Sequence, residues 1–239
     1  MKKIDELQKI INESNNIVFF GGAGVSTASG IPDFRSKDGL YNQKFKYPPE
    51  LMLSGNFFYT YTEEFYKFYK DKFNLLNYQP NIVHNYLFKL EQSGKLKAII
   101  TQNIDGLHTK AGNKNVYEIH GTIYKNHCIK CYKEYDAEYV FNSSGIPKCE
   151  CEGLIKPNVV LYGEGLDDEI FSKSIKAISE CDTLIIAGTS LNVYPAAGMI
   201  NYFRGKNLVI INKTSTQYDK KANLILQEDM KKVFEKLTI

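Results

Sequence analysis

Ile17-Val18-Phe19-Phe20-Gly21-Gly22-Ala23-Gly24-Val25-Ser26-Thr27 is the stretch that decides the fold. Four consecutive apolar residues without alternation predict a short strand buried on both faces, and the glycines after it predict a tight turn. A strand running into G-x-G lets the backbone approach a pyrophosphate at a helix N-terminus. Thr27 stands where a G-x-G-x-x-G fingerprint has its third glycine. No second strand ending in an acid follows about 20 residues later to bind a ribose. The fingerprint of an ordinary dehydrogenase is therefore absent, and on these glycines alone a plain strand–helix turn is an alternative.

Outward from this point, residues 3–14 place Ile4, Leu7, Ile10 and Ile11 on one helical face. Further apolar runs at 97–101, 116–119, 157–161, 184–187 and 208–211 predict parallel strands covered on both faces. Helical patterns at 80–91, 168–180, 195–203 and 228–237 separate many of them. The expected fold is α/β, a Rossmann-like doubly wound parallel sheet with a smaller domain. Residues 35–55 are polar, contain Pro48-Pro49, and predict a long loop; residues 57–77 carry Phe and Tyr at helical spacing. The expected division is a large domain from 1–34, 84–123 and 155–239, a loop and helical module at 35–83, and a cysteine ribbon at 124–154.

The 239 residues include 30 Lys+Arg against 27 Asp+Glu, a net charge of +3, with 43% hydrophobic residues. This is the make-up of a folded chain. The charge is too small to argue for a nucleic-acid partner. No apolar run approaches the ~20 residues of a membrane span. The basic N-terminus lacks an apolar region behind it, so a secretory signal is not expected and the cytoplasm is the default location. Only Arg35 and Arg204 are arginines; every other basic residue is lysine. Against that background Arg35 suggests a need for a planar, bidentate donor.

Four of the five cysteines, Cys128, Cys131, Cys149 and Cys151, form C-x2-C and C-x-C pairs 17 residues apart. Two close thiol pairs across a short ribbon predict a tetrahedral Zn site, structural because four thiolates leave no open position. Two disulfides, or thiols packed as small hydrophobes, are the alternatives; a cytoplasmic chain argues against the former. His127 adjoins the first pair and is a competing ligand. Cys181, just before an apolar run, is expected in the core.

Polar clusters follow several candidate strands: Gly188-Thr189-Ser190, Thr101-Gln102-Asn103-Ile104-Asp105-Gly106-Leu107-His108 and Glu118-Ile119-His120-Gly121. In parallel sheets that edge binds ligands. Of four histidines, His120 is the best general-base candidate, since it ends a strand and precedes a glycine. His84 lies within a helix and is expected to be structural; for His108 a capping or packing role is favoured.

Taken in order, G-A-G-x-S…S-G-I-P-D-F-R, T-Q-N-I-D-x-L-H, the I-H-G histidine, the cysteine ribbon, V-V-L-Y-G-E at 159–164 and G-T-S-L-x-V at 188–193 closely resemble the sirtuin family of NAD-dependent protein deacylases. The resemblance runs from about residue 10 to 230 and implies NAD as co-substrate and one structural zinc. It implies that Ala23, Gly24 and Thr27 line the phosphates and adjoining ribose, and that Phe34 and Arg35 close over the cofactor. It assigns Gln102 and His120 to the ribose hydroxyls and Asn103, Ile104 and Asp105 to the nicotinamide pocket, with His120 and Asn103 catalytic. Gly188, Thr189 and Ser190 would serve a second phosphate and ribose site, Asn212 the adenosine ribose, and Asp229 and Met230 the adenine.

The implied reaction starts with attack of an acyl-lysine oxygen on C1′ as nicotinamide leaves. His120 then deprotonates a ribose hydroxyl, and the products are lysine and O-acetyl-ADP-ribose. An acetylated peptide would add as a strand between 160–164 and 191–194, against Val160, Tyr162, Gly163, Glu164 and Val193. Tyr162 stands where the family commonly has phenylalanine, adding a polar tip. Members that remove succinyl groups carry a Tyr-x-x-Arg pair; here Tyr66 is followed by Tyr69, so deacetylation is expected over desuccinylation. Longer acyl-lysines, mono-ADP-ribosyl transfer, a zinc-ribbon binding module or a silent NAD-binding scaffold are rival functions. The expected partners are acetylated lysine-containing proteins, with no nucleic acid or membrane, for a chain acting as a monomer.

Overall fold

The computed structural model describes residues 2–239. Among the described residues nine strands form two sheets: β1 (Ile17–Gly21), β2 (Leu96–Thr101), β3 (Val116–Glu118), β4 (Gly121–Cys128), β5 (Glu134–Asp136), β6 (Ile155–Val159), β7 (Thr183–Ala187), β8 (Asn207–Ile211) and β9 (Leu224–Leu226). The helices are α1 (Lys2–Glu13), α2 (Pro49–Met52), α3 (Gly55–Thr60), α4 (Thr62–Phe73), α5 (Ile82–Gln92), α6 (Leu107–Lys110), α7 (Ala137–Asn142), α8 (Asp168–Glu180) and α9 (Met230–Phe234).

The large sheet has six parallel strands in the order β3-β2-β1-β7-β8-β9. Strand residues alternate between its faces, as the pleat requires. Ile17, Phe19, Ile99, Ile185, Val209 and Ile211 join Leu7, Ile11, Leu87, Leu90 and Val233 of α1, α5 and α9 in one buried cluster. Val18, Phe20, Ile100, Leu184, Ile186 and Ile210 pack on the other side with Ile178 of α8 and with Met199 and Ile200 of a 3-10 helix, Ala196–Tyr202. Strand order runs outward from β1 in one direction and from β7 in the other, so the switch point lies between β1 and β7, where an open parallel sheet leaves a crevice.

The structure corrects several expectations. The run at 157–161 does not join the parallel sheet. β6 instead pairs antiparallel with β4 in a three-stranded sheet ordered β5-β4-β6. Its apolar character reflects packing on the aromatic helices, because Ile155, Val159 and Leu161 cluster with Phe57, Phe58, Phe65 and Tyr66. The sixth parallel strand is β9, which the sequence did not suggest. Residues 35–55 hold α2 and a 3-10 turn at Leu40–Asn42, with Pro49 in the first turn of α2, where a missing N–H costs nothing. The aromatic stretch is two helices broken at Tyr61, and the helical pattern at 195–203 is the 3-10 helix Ala196–Tyr202.

Gly121 joins the two sheets. It has φ +75°, and a Cβ there would lie 1.9 Å from Asn158 O. Gly121→Ala is expected to cost about 2 kcal/mol or more, since left-handed backbone and a displaced β6 carbonyl combine. Urea unfolding checks this; an unchanged midpoint would contradict it.

Candidate active site

The turns after β1, β2, β3, β7 and β8 open onto one cavity of about 1000 Å³ at the carboxyl edge of the large sheet. Ala23, Gly24, Thr27, Phe34 and Arg35 line it from the first turn and the loop beyond. Gln102, Asn103, Ile104 and Asp105 enter after β2, and His120 after β3. Gly188, Thr189 and Ser190 enter after β7, Asn212 after β8, and Asp229 and Met230 from the start of α9. Val160, Tyr162, Gly163, Glu164 and Val193 line the same space.

At the centre two backbones touch. Gly24 N–H donates to Gly188 O at 2.9 Å, and a Cβ on Gly24 would sit 2.8 Å from Gly188 Cα. The next residue, Thr189, donates its Oγ1 hydroxyl to Gln102 Oε1 at 2.9 Å. Gln102 Nε2 is then a buried donor without a partner, the kind of orphan a bound ligand satisfies. The Gln102 carbonyl lies 3.0 Å from His120 Nδ1. A carbonyl only accepts, so the proton is assigned to Nδ1 and Nε2 carries the lone pair. Burial lowers the His120 pKa, against the opposing pull of the Gln102 carbonyl.

Asp105 is buried. Its Oδ2 accepts from Ser26 Oγ at 2.6 Å and its Oδ1 from Leu107 N–H at 2.9 Å; Asn103 Nδ2 donates to the same Ser26 oxygen at 3.0 Å. Burial raises the Asp105 pKa while the two donors pull it down. Ser26 is the residue that sequence reasoning missed: it stood in the quoted motif, but its tie to residues nearly eighty positions on has no local signal. Glu118, also unforeseen, has its carboxyl pushed up to about 7, first by burial and then by Asp105, with Lys125 opposing.

At the far end Asn212 commits its amide N–H groups to Thr189 O and Thr214 O, leaving its Oδ1 to accept. Asp229 caps α9 and pairs with Lys213 at 2.8 Å, which holds its carboxyl below the usual range. The orphan donor, the glycine contact and this acceptor set suit a dinucleotide. The Glu164 carboxylate is tied locally: its Oε2 accepts from Lys156 Nζ at 3.0 Å and from Leu161 N–H at 2.9 Å. Tyr66 donates its hydroxyl to Ile155 O, and Tyr69 stacks on Phe65 and Phe141.

The four cysteines gather away from the cavity, with all sulfurs within 4.8 Å of one another. Cys128–Cys151 and Cys131–Cys149 are each 3.5 Å apart, too far for disulfides and close to the edge of a tetrahedral thiolate shell. The donor set fits zinc. Tyr135 donates its hydroxyl to Cys149 Sγ at 3.0 Å, and Gly153 leaves room that a Cβ, 2.5 Å from Cys128 Sγ, would fill. His127 is outside the set; its Nδ1 is bonded to Asn158 Oδ1. His84 and His108 are buried against each other, rings 4.6 Å apart, and burial lowers both pKa values, His84 to about 4. His84 Nδ1 accepts from Asn81 N–H in the cap of α5, and His108 is packed in α6 with no polar partner. Cys181 is in the core.

The Sir2 family profile matches residues 22–195. NAD-dependent protein deacetylases of Clostridium acetobutylicum and Clostridium perfringens are each 58% identical over 239 residues, covering 98% of this chain and 98% of theirs. A Sir2 structure with a deacetylated p53 peptide and 3′-O-acetyl ADP-ribose superposes at TM-score 0.91 and 39% identity, covering 98% of this chain and 96% of that one. A Sir2 complex with a p53 peptide and NAD+ superposes at 0.87 and 40% identity, with the same coverage.

β4 ends at Cys128 in the cysteine site, beside the start of β6, and the other ends of both strands flank the cavity. Chelating the metal, or Cys128→Ala, is expected to raise protease sensitivity within residues 121–159. A chelated protein that keeps its resistance and its activity would contradict this.

Proposed function

The chain belongs to the Sir2 family, and on that premise we propose that it removes acetyl groups from protein lysines with NAD as co-substrate. The products are free lysine, nicotinamide and O-acetyl-ADP-ribose. When bound, NAD supplies a glycosidic carbon from which nicotinamide departs and ribose hydroxyls that take up the acetyl group. Everything else falls to the chain. The observation that carries this assignment is the junction of His120 with the peptide-side strand: Val160 N–H donates to His120 O at 2.9 Å, while Nε2 of the same residue is left as the acceptor. The base and an extended segment able to pair with a peptide backbone are thus joined by one main-chain hydrogen bond.

Gln102 Nε2 and the ring of His120 serve the ribose hydroxyls. Asp105, held by Ser26 and Leu107, accepts from the nicotinamide carboxamide, and Asn103 shares the same Ser26 oxygen. Phe34 and Ile104 exclude water from the glycosidic carbon. Asn212 accepts from the adenosine ribose, and Met230 packs over Gly188 beside the phosphates. The zinc held by Cys128, Cys131, Cys149 and Cys151 is structural: it braces β4, whose Ile123 N–H holds Ile104 O at 3.1 Å. Glu164 acts on the peptide through the main chain it fixes, by way of Lys156. A cytoplasmic location is proposed because the thiol set has to stay reduced to hold its metal. Action as a monomer on acetylated proteins completes the proposal.

His120→Ala is expected to lower turnover by about 10²–10⁴-fold while NAD binding stays nearly intact; full residual activity would remove His120 from the mechanism. Because burial lowers its pKa, His120 stays neutral to more acid pH than a free imidazole. The rate of the chemical step should be flat near neutrality and fall only below the ordinary value of 6.5; a midpoint above 7 would count against this base. With no arginine beside Tyr66, acetyl-lysine peptides are expected to turn over about 10-fold faster or more than succinyl-lysine peptides. Comparable rates would refute that preference.

A further inference from the structure

The segment 33–43, which carries Phe34 and Arg35, is bonded almost entirely to itself. Leu40 N–H donates to Asp33 O and Tyr41 N–H to Phe34 O, both at 2.9 Å. The Asp33 carboxylate accepts from Arg35 N–H and Ser36 N–H, and the Asn42 amide donates to Ser36 O at 2.6 Å. Arg35 lies over the ring of Tyr41, 5.3 Å from its centroid, and Phe34 meets that ring edge-on. Among the described residues no ion pair leaves the segment, and one hydrogen bond does: the Tyr41 and Tyr162 hydroxyls are 2.5 Å apart. Beyond that bond, the segment is anchored by apolar packing, chiefly of buried Leu40.

The other end of this tie is firm. Tyr162 N–H donates to Leu53 O at 2.9 Å, and Tyr162 O accepts from Gly55 N–H at 3.0 Å. A side chain whose own backbone is fastened on both sides therefore reaches the loop through its hydroxyl. Phenylalanine, the common residue here in the family, would fill the same space and leave Tyr41 without this partner.

We propose that the Tyr162 hydroxyl is a positioning group for NAD, latching the loop that carries Phe34 and Arg35 against the cavity through Tyr41. The latch rests on the deacetylase assignment for its ligand, but its geometry is present in the chain alone. A loop held in place before the ligand arrives loses less freedom when it binds. One hydroxyl–hydroxyl bond contributes enough to shift that equilibrium by about 3–10-fold.

Tyr162→Phe in the full chain tests this with two readouts that do not depend on turnover. Amide hydrogen exchange over residues 35–43 in the ligand-free protein is expected to speed up by about 3–10-fold, and the calorimetric Kd for NAD to weaken by a similar factor. Tyr41→Phe should reproduce the loss, and the double variant should lose no more than either single one. Unchanged exchange and NAD affinity beside normal wild-type binding would overturn the latch alone, as would additive losses. A wild type that takes up no NAD would overturn the deacetylase assignment and the latch together.

Discussion

The site depends on a place where two glycine turns touch. β1 and β7 run in parallel register to Gly21 and Ala187, and each then enters a turn whose backbone needs the other to lack a side chain. Gly24 meets Gly188 through a direct N–H···O bond. From this contact a continuous polar line follows: Gly188 sets Thr189, Thr189 holds the Gln102 amide, and the Gln102 carbonyl fixes His120 through Nδ1. A shift at the first link would be passed to the last, because each step is a single hydrogen bond of ordinary length. Alignment along this line thus begins with the register of β1 and β7.

The smaller sheet acts on the same line from the other side. β4 leaves directly from His120 through Gly121, and Ile123 fastens the loop that carries Asn103 and Asp105. Three short strands have too little apolar surface to hold such a position alone, and a metal bound by four thiolates makes up the difference. The aromatic helices complete the support: Phe57, Phe58, Phe65 and Tyr66 bury Ile123 and Ile155 from behind. A four-cysteine metal site away from the cavity is explained by this geometry, since the sheet it braces begins beside His120.

Strand interiors and glycine turns were legible because they are local: the run at Ile17 and the turn at Gly22 declare a buried strand and a close approach by composition alone. The cysteine set was legible for the same reason, through spacing. What stayed hidden depends on partners. The apolar run at 157–161 looks parallel in isolation, and only its pairing with β4 shows otherwise. β9 is three residues long, and its burial comes from α1 and β8 rather than from its own pattern. Ser26 and Tyr41 are ordinary polar residues until Asp105 and Tyr162 arrive from distant parts of the chain. The ion pair between Glu164 and Lys156 has no local signal either and could be seen only in three dimensions.

The most direct measurement is titration calorimetry of NAD into the folded protein, beside a Gly24→Ala variant whose fold is verified by circular dichroism. Convergence of the glycine turns on one dinucleotide site requires one NAD per wild-type chain and a large loss of affinity in the variant. A correctly folded wild type that releases no heat of binding, or a variant that binds as tightly, would contradict it.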